Sequence, residues 1–221
     1  MDGKPLVIFG LGDIAQIANY YFDIDSNRDV AAFTVDSAYK SLESFEGKPV
    51  IAFEEMNQNF PPEKYDLFIA LSYSKMNKIR EQKYFEAKEK GYSLASYISS
   101  KCSFMSQFKA GDNCFIFEDN TIQPFVRIGN NVTLWSGNHI GHHSVIHDHN
   151  FISSHVVISG HCEVKSNCFI GVNATVHNNV IIESENLIGA GAIIAKSTDF
   201  QGVYLPAPSS KFKKNSNELN F

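Results

Sequence analysis

The chain has 221 residues, of which 43% are hydrophobic and 19% charged, enough to bury the core of one large domain or two small ones. Nineteen basic and twenty-four acidic side chains give a formal charge of −5, without a basic run in the body of the chain, so nucleic acid is not the expected partner. The apolar start lacks the basic region and cleavage site of a signal peptide, and no stretch approaches the roughly 20 apolar residues of a membrane span, so we expect a cytoplasmic protein with no membrane partner.

Up to residue 98, short apolar runs alternate with helix-like stretches, a pattern typical of a βαβ domain. Gly91 is the expected C-cap of the last helix. In chain order, the predicted elements are a strand over 5–10, a helix over 13–22, strands over 29–36, 48–53 and 65–73, a helix over 75–90 and a closing segment over 92–98.

The first predicted strand leads into a G-x-G-x-x-A turn formed by Gly10, Gly12 and Ala15. Glycines at such a turn let the backbone approach an anion at a helix N-terminus, so this is a candidate phosphate cradle. Asp36 ends the second strand, where a carboxylate can bind a ribose hydroxyl. Purely structural roles are the alternative to ligand binding. The glycines would let the helix pack closely on the strand, and Asp36 would cap a loop. A dehydrogenase needs two mononucleotide-binding halves, and this segment supplies little more than one.

From Phe104 to Ile194 every sixth residue is apolar, which gives sixteen positions without an insertion. The fourth residue after each of them is mostly small or compact. A six-residue repeat predicts a parallel β-helix of about five coils, in which three hexads form one coil and both positions point inward. Cys114, Cys162 and Cys168 occupy the second inward position, so we expect them to be buried free thiols.

All eight histidines lie between His139 and His177, and none occupies an inward position of the repeat. We therefore expect them to face solvent or another subunit. In the first interpretation, most of these histidines are simply polar residues that the outward turns tolerate. Zinc binding is a second interpretation, because His143 and His161 are one coil apart and should stack beside His142. The third is a single histidine acting as general base, for which a reference pKa of about 6.5 is suitable.

Three strings carry a resemblance to a known family: HHSVIHDHNFISSHVVISGHCEVKSNCFIGVNATV from His142, NLIGAGAIIAKS from Asn186 and GVYLPAPSSK from Gly202. They resemble the bacterial nucleotide-sugar acetyltransferases, which include bacillosamine N-acetyltransferases and sialic acid O-acetyltransferases. The likeness covers nearly the whole chain. It implies an α/β, Rossmann-like domain over 1–98 that binds the nucleotide sugar and a left-handed parallel β-helix acyltransferase domain over 99–200. We expect the remaining tail, 201–221, to be partly disordered.

The resemblance implies that His142 is the catalytic base, because it opens the segment that matches the family's H[ED]xxIG motif. The residue after the base is commonly acidic and orients it, whereas here that residue is His143. A neutral His143, Asn138 or a carboxylate from a neighbouring subunit could take this role. The family's Ile-Gly is also replaced, by Ile146 and His147, at a variable position of the hexad.

The resemblance further implies acetyl-CoA as cosubstrate. Phe151, Gly160 and Gly171 match the family's contact positions, and the basic group of Lys211, Lys213 and Lys214 could meet the CoA phosphates or belong to a solvated tail. The residues expected to bind the nucleotide sugar lie in the first domain: Gly10, Gly12, Asp13, Asp36 and Ser72.

The sequence thus predicts an acetyl-CoA-dependent N-acetyltransferase that acts on a nucleotide-linked deoxyamino sugar in glycan or lipopolysaccharide synthesis, by direct attack and without an acyl-enzyme. The resemblance implies a homotrimer with active sites between adjacent β-helices, whose contacts would also cover Trp135. Three alternatives stay open: O-acetylation of a free sugar such as sialic acid, a zinc-dependent β-helix enzyme like a carbonic anhydrase, and a non-catalytic binding module.

Overall fold

The computed structural model describes residues 3–211 and 213–219. Its first half contains five strands and three α-helices: β1 (Leu6–Phe9), β2 (Val30–Val35), β3 (Ser44–Phe45), β4 (Lys48–Ala52), β5 (Asp66–Ile69), α1 (Asp13–Asp25), α2 (Met56–Asn59) and α3 (Lys78–Glu89). The strands form one sheet in the order β3-β4-β2-β1-β5, parallel except for the β3–β4 hairpin. All four residues of β1 and of β5 are buried, as expected for strands of a parallel sheet covered on both faces.

The helix predicted over 75–90 begins three residues later than expected. Lys75, Met76 and Asn77 all have positive φ, at 50°, 52° and 63°. Such left-handed conformations cost on the order of 1 kcal/mol or more for a residue with a side chain, so the surrounding structure must hold them. Asn77 provides this anchor: its side chain is completely buried, and its Nδ2 donates a hydrogen bond to the Cys168 carbonyl at 3.0 Å.

The segment predicted to close the first domain does not form a full strand of its sheet. Only Leu94 bridges to Leu67 of β5, and Tyr97–Ile98 instead pairs with the first complete coil of the second half. The two halves are therefore joined by continuous strand pairing as well as by side-chain packing.

The second half consists of two-residue strands: β6 (Tyr97–Ile98), β7 (Ser103–Phe104), β8 (Phe115–Ile116), β9 (Thr121–Ile122), β10 (Arg127–Ile128), β11 (Thr133–Leu134), β12 (His139–Ile140), β13 (Val145–Ile146), β14 (Phe151–Ile152), β15 (Val157–Ile158), β16 (Glu163–Val164), β17 (Phe169–Ile170), β18 (Thr175–Val176), β19 (Ile181–Ile182), β20 (Leu187–Ile188), β21 (Ile193–Ile194) and β22 (Val203–Tyr204). They form three parallel sheets. Sheet I has the order β22-β20-β17-β14-β11-β8-β6, sheet II the order β21-β18-β15-β12-β9-β7, and sheet III the order β10-β13-β16-β19.

From β6 to β21, paired residues in the coil are eighteen apart, as in Thr133 with Phe151 and His139 with Val157, whereas the final pair, Leu187 with Val203, is sixteen apart. This confirms the predicted coil of three hexads. The apolar positions of the repeat fill the interior of the coil, and from Ile116 to Ile194 all of them are buried. Cys114, Cys162 and Cys168 are buried free thiols of this core, as predicted.

The corners between the sheets share one backbone conformation. From Asn113 to Gly191, every sixth residue has a positive φ, between 52° and 78°. Asparagine, aspartate and histidine tolerate this region better than most residues with side chains. Four of the histidines, His143, His149, His155 and His161, occupy such corner positions. The backbone requirement of the corners thus accounts for half of the histidine cluster.

The two halves share an aromatic core. Phe68 of the first sheet packs edge-on against Phe115 of the coil, with ring centroids 5.2 Å apart, and Tyr21 of α1 contacts Phe117 at 5.1 Å. Trp135, which the trimer was expected to cover, stacks on Phe117 at 4.7 Å and belongs to this intramolecular cluster. Its own chain therefore covers much of that indole ring.

In the described part of the chain, the two longest helices are α1 and α3, with 13 and 12 residues, and no helix combines the length and hydrophobicity needed to cross a membrane. The tail beyond residue 200 includes β22, which pairs with β20, and a 3-10 turn at Ser216–Glu218. The prediction of partial disorder over 201–221 falls partly on residues 212, 220 and 221, which lie outside the described residues.

Candidate functional site

His142 lies at the corner between sheets II and III, next to the left-handed corner residue His143. Both side chains are exposed. The Nδ1 atoms of the two rings are 3.1 Å apart, and the His142 backbone N–H donates to Oε1 of Gln123 at 2.8 Å. The structure thus places His143 beside the predicted base, in the position needed to orient it.

The contact between the two Nδ1 atoms constrains the tautomers of a neutral pair. One Nδ1 must donate and the other accept, since both cannot do the same in a hydrogen bond. When Nδ1–H of His142 donates to His143, Nε2 of His142 carries the lone pair. The exposed His142 ring can then accept a proton at Nε2.

Gly160 lies one coil from His142 and directly under its ring. A Cβ at position 160 would be 2.7 Å from Cε1 and 2.8 Å from Nε2 of His142, closer than van der Waals contact allows. The absence of a side chain at this position therefore sets where the imidazole rests. Gly160 is predicted to bind the cosubstrate, and the structure adds this contact with the predicted base.

Asn138 does not contact His142. Its side chain is 1% exposed and points into the coil, where Oδ1 accepts the Val156 N–H at 2.7 Å and Nδ2 donates to the Trp135 carbonyl at 2.5 Å. The reason lies in the repeat, because residue 138 is the fourth after Leu134 and therefore occupies an inward position. The oxygen and the nitrogen of this side-chain amide thus both form hydrogen bonds with backbone groups at the corner.

Phe151 and Gly171 line one cleft of about 400 Å³, on the outer face of sheet I. Tyr73 covers part of it, with ring centroids 5.0 Å from Phe151 and 4.5 Å from Phe169. The lining is largely apolar and includes Val172 and Ala190. Of the three residues that match the family's contact positions, two thus share one cleft, whereas Gly160 lies at the corner beside His142.

The glycine at position 171 has a structural explanation of its own. A Cβ there would meet the backbone nitrogen of Ala190 in the next coil at 2.6 Å. Close approach of two coils therefore requires glycine at this position whether or not a ligand binds.

The residues predicted to bind a nucleotide sugar gather at one edge of the first sheet. Gly10 follows β1, Asp36 follows β2 and Ser72 lies beyond β5, so all three are at the carboxyl ends of parallel strands. Gly12 and Asp13 are exposed at the N-terminus of α1. Ligands of open α/β sheets bind at the carboxyl ends of the strands, at the point where the strand order changes direction. In this sheet that point lies at β1, between β2 and β5.

Gly10 and Asp36 at this edge already make close contacts within the chain. Gly10 has φ of +129°, and a Cβ added at this position would lie 2.8 Å from the Ala70 carbonyl oxygen. Only glycine therefore fits the turn. The Asp36 carboxylate is paired with Nζ of Lys83 in α3 at 2.7 Å. A ribose hydroxyl would therefore approach a carboxylate that already has a partner.

Another cleft, with a volume of about 710 Å³, lies between α1 and the coil. It is lined by Gln16, Tyr20, Glu118 and Trp135, among others, and by none of the predicted site residues. Glu118 accepts hydrogen bonds from Tyr21 at 2.7 Å and from Ser136 at 2.6 Å. The carboxylate is thus engaged within the chain, and the residue pattern gave no signal for this cleft.

His149 departs from the expectation that the histidines face solvent or another subunit. It is 5% exposed, because α3 of the same chain covers its corner. Nδ1 of His149 lies 2.9 Å from Nδ2 of Asn131, and Nε2 lies 3.7 Å from a Glu81 carboxylate oxygen. Burial lowers the pKa of His149, and the nearby carboxylates offset only part of this effect. His149 is thus a structural residue of the domain interface.

The cysteines are unsuited to nucleophilic catalysis. Burial raises the pKa of Cys114 and that of Cys168 to about 12 in each case, so neither supplies a thiolate near neutral pH. Burial also raises the pKa of Cys162. This supports the expected direct transfer, without an acyl-enzyme. Lys211, Lys213 and Lys214 are exposed and belong to no helix or strand.

Comparison with known proteins agrees with this architecture. Residues 125–160 match the family model for the bacterial transferase hexapeptide, six repeats. Among proteins with curated descriptions, none matches the chain in sequence.

Three solved structures illustrate the likeness in fold. The acetyltransferase domain of PglB from Neisseria gonorrhoeae, in complex with acetyl coenzyme A, is 18% identical, with a TM-score of 0.78 over 93% of this chain and 100% of that one. PerB from Caulobacter crescentus, in complex with CoA and GDP-perosamine, is 20% identical, with a TM-score of 0.78 over 90% and 92%. WeeI from Acinetobacter baumannii is 16% identical, with a TM-score of 0.76 over 90% and 95%. The predicted fold class, an α/β Rossmann-like domain followed by a left-handed parallel β-helix, is confirmed.

Proposed function

We propose that the protein is an acetyl-CoA-dependent N-acetyltransferase that acetylates the amino group of a nucleotide-linked deoxyamino sugar. The observation that carries the proposal is the exposed His142 ring, which rests on Gly160 and has its Nδ1 held by His143. Proteins of the same fold bind the required substrates, since PerB was solved with CoA and GDP-perosamine and the PglB domain with acetyl coenzyme A.

In the proposed reaction, Nε2 of His142 accepts a proton from the substrate amine as the amine nitrogen bonds to the thioester carbonyl carbon. The carbon–sulfur bond then breaks, CoA leaves as the thiolate, and the proton returns from His142 to sulfur or to solvent. His143 holds the ring so that its lone pair faces the amine. No cysteine is needed, in keeping with the raised pKa values of the buried thiols.

The cleft on sheet I fits part of a cosubstrate with an apolar, extended arm. Its aromatic wall, formed by Tyr73, Phe151 and Phe169, can pack against the pantetheine chain or the sugar. Lys211 and its neighbours in the tail would supply positive charge for the CoA phosphates. At the carboxyl edge of the first sheet, Gly10, Gly12 and Asp13 would contact the nucleotide phosphates, with Asp36 and Ser72 beside them.

A trimer would bring these parts together. Within one chain, His142 lies at the corner between sheets II and III, whereas the cleft lies on sheet I. On sheet II, Val157 and Ile193 leave 40% and 69% of their surfaces exposed, so the outer face carries apolar side chains that an adjacent β-helix could bury. We expect a light-scattering mass three times the 24.7 kDa of one chain.

The experiment that tests the proposed reaction is product analysis by mass spectrometry. The protein is incubated with acetyl-CoA and UDP-, dTDP- or GDP-linked 3- and 4-amino sugars, and in parallel with the free amino sugars and with sialic acid. An N-acetylated product from one nucleotide-linked sugar is expected. An O-acetylated free sugar as the preferred product would replace the proposal with the sugar O-acetyltransferase alternative.

A further inference from the structure

Three histidines at the corner between sheets II and III form a cluster: His142, His143 and His161, hereafter the histidine corner. One ring nitrogen from each can be chosen so that all three lie within 4.8 Å of one another. The rings of His143 and His161 stack at 4.8 Å with an interplanar angle of 12°, and the rings of His142 and His161 are 5.1 Å apart. Imidazole nitrogens are common ligands for borderline divalent metals.

Backbone conformation alone does not account for this cluster. His143 and His161 have φ of 59° and 57°, so asparagine would serve equally well at both positions, as it does at Asn179 one coil further along. His142 does not have a positive φ. Of the three corner columns in the coil, this is the one in which two histidines are stacked one coil apart with a third beside them.

The column is held in place before any ligand arrives. Phe125, one coil before His143, stacks on its ring at 4.5 Å, and the His161 backbone N–H donates to the His142 carbonyl at 2.9 Å. Tetrahedral zinc with Zn–N distances of about 2.0–2.1 Å needs ligand nitrogens roughly 3.3 Å apart. The Nδ1 atoms of His142 and His143 are already 3.1 Å apart, so small rotations of exposed rings complete the set.

We propose that the histidine corner binds a divalent transition-metal ion, with zinc as its best-matched occupant, and that the bound ion inhibits the enzyme. Three imidazoles would supply three ligands and leave a fourth position for water. In the described residues, no carboxylate hydrogen-bonds or forms an ion pair with these three histidines, which removes the usual support for tight metal sites. The exposed site is therefore expected to exchange its ion with solvent.

Inhibition follows from the identity of the ligands and rests on the proposed function. A metal ion bound to His142 and His143 occupies nitrogen lone pairs and turns the imidazole away from its role as proton acceptor. Metal binding itself does not depend on that function. The two statements can therefore be tested separately on the same protein.

The test uses the full chain, stripped of metal with a chelator, and two asparagine variants. His161→Asn keeps His142 and His143 and uses a residue that the corner conformation accepts. His155→Asn is the matched control, an exposed histidine at another corner with φ of 58°. Equilibrium dialysis against zinc chloride, with metal analysis, gives the stoichiometry, and Co²⁺ absorption reports on the ligand geometry.

We expect one zinc ion per chain for the wild type and for His155→Asn, with at least tenfold weaker binding by His161→Asn. Equal zinc binding by wild type and His161→Asn would overturn the site. When thiol release from acetyl-CoA is measured in the presence of the nucleotide sugar, zinc should inhibit the wild type reversibly and His161→Asn at least tenfold less. Activity that requires zinc and disappears with the chelator would overturn the inhibitory role. If no acetyl transfer is found, the dialysis result still decides whether the metal site exists.

Discussion

At the scale of single residues, the proposed chemistry depends on which nitrogen of His142 is free. The contact with His143 involves Nδ1 and leaves Nε2 for the proposed substrate, while Gly160 leaves room for the ring in the next coil. His143 stands where the resembling family has an acidic residue, and we propose that its imidazole takes over the orienting role of that carboxylate. Two predictions follow from the two contacts of this ring.

Replacing His143 by asparagine should lower kcat on the order of 10- to 100-fold with little change in KM or in thermal stability. Asparagine keeps the left-handed corner, where His143 has φ of 59°, but does not place an acceptor against Nδ1 of His142 in the same way. His143→Glu should restore most of the lost kcat, because a carboxylate can accept from Nδ1. Equal kcat in wild type and His143→Asn would show that His142 needs no such partner.

Two glycine substitutions should separate a catalytic effect from a structural one. In Gly160→Ala the atoms nearest to the new Cβ belong to the His142 ring, at 2.7 Å, so kcat should fall on the order of tenfold while the melting temperature stays near that of the wild type. In Gly171→Ala the Cβ meets the Ala190 backbone at 2.6 Å, so the melting temperature itself should fall. Thermal unfolding and steady-state kinetics on both variants check this, and a stability loss confined to Gly160→Ala would contradict it.

At the scale of elements, α3 fixes the first domain on the coil through a buried polar interface. Arg80 is 2% exposed and donates to Thr133 Oγ1 at 2.5 Å, to the Asn150 carbonyl at 3.0 Å and to Asn77 Oδ1 at 3.1 Å. Burial lowers the pKa of Arg80 to about 10, so it stays charged at neutral pH. Within residues 3–211 and 213–219 it has no carboxylate partner, and these neutral acceptors stabilise its charge.

Arg80→Leu should reduce the free energy of unfolding by about 3 kcal/mol, since it leaves several buried acceptors without a donor. Glu89→Ala, on an exposed part of the same helix, is the control and should change it by less than about 0.5 kcal/mol. Urea unfolding monitored by tyrosine and tryptophan fluorescence measures both. A variant at position 80 as stable as the wild type would mean that the arginine contributes nothing net at this interface.

His149 should make the stability of the protein depend on pH. Burial holds its pKa below the ordinary value of 6.5, so the unfolded chain binds the proton more readily than the folded one. Its neutral form is present in both states above pH 6.5, and stability should fall as the pH drops below that value. His149→Asn, which suits the left-handed corner, should lose less stability between pH 7 and 5 than the wild type. Parallel curves of unfolding free energy against pH would refute this role.

At the scale of the whole molecule, the fold was predictable because its periodicity is local. The hexad spacing sets the register of every coil, and the buried positions from Ile116 to Ile194 follow it. The interface could not be read in this way, because the contacts of Arg80 join residues 53 and 70 positions apart and depend on how α3 docks. His149 occupies an outward position of the repeat, and it is buried because α3 docks over it.

The candidate site was predictable in part for the same reasons. His142 and His143 are adjacent in sequence, so their contact depends on one turn, whereas Gly160 is one coil away and its place under the ring follows from the eighteen-residue period. Asn138 was a candidate partner of the base, yet its inward register places it in the core. The remaining step, from His142 to the cleft on sheet I, crosses from one face of the coil to another, and only the proposed trimer would bridge it.

The most direct test of the account is thiol release from acetyl-CoA in the presence of UDP-, dTDP- and GDP-linked 3- and 4-amino sugars, with wild type, His142→Ala and His155→Asn side by side. We predict turnover with one of these nucleotide sugars, a loss of 10²- to 10⁴-fold in kcat for His142→Ala, and wild-type rates for the exposed corner control. Turnover that survives in His142→Ala would contradict the assignment of the base. Thiol release with none of the nucleotide sugars would contradict the proposed reaction itself.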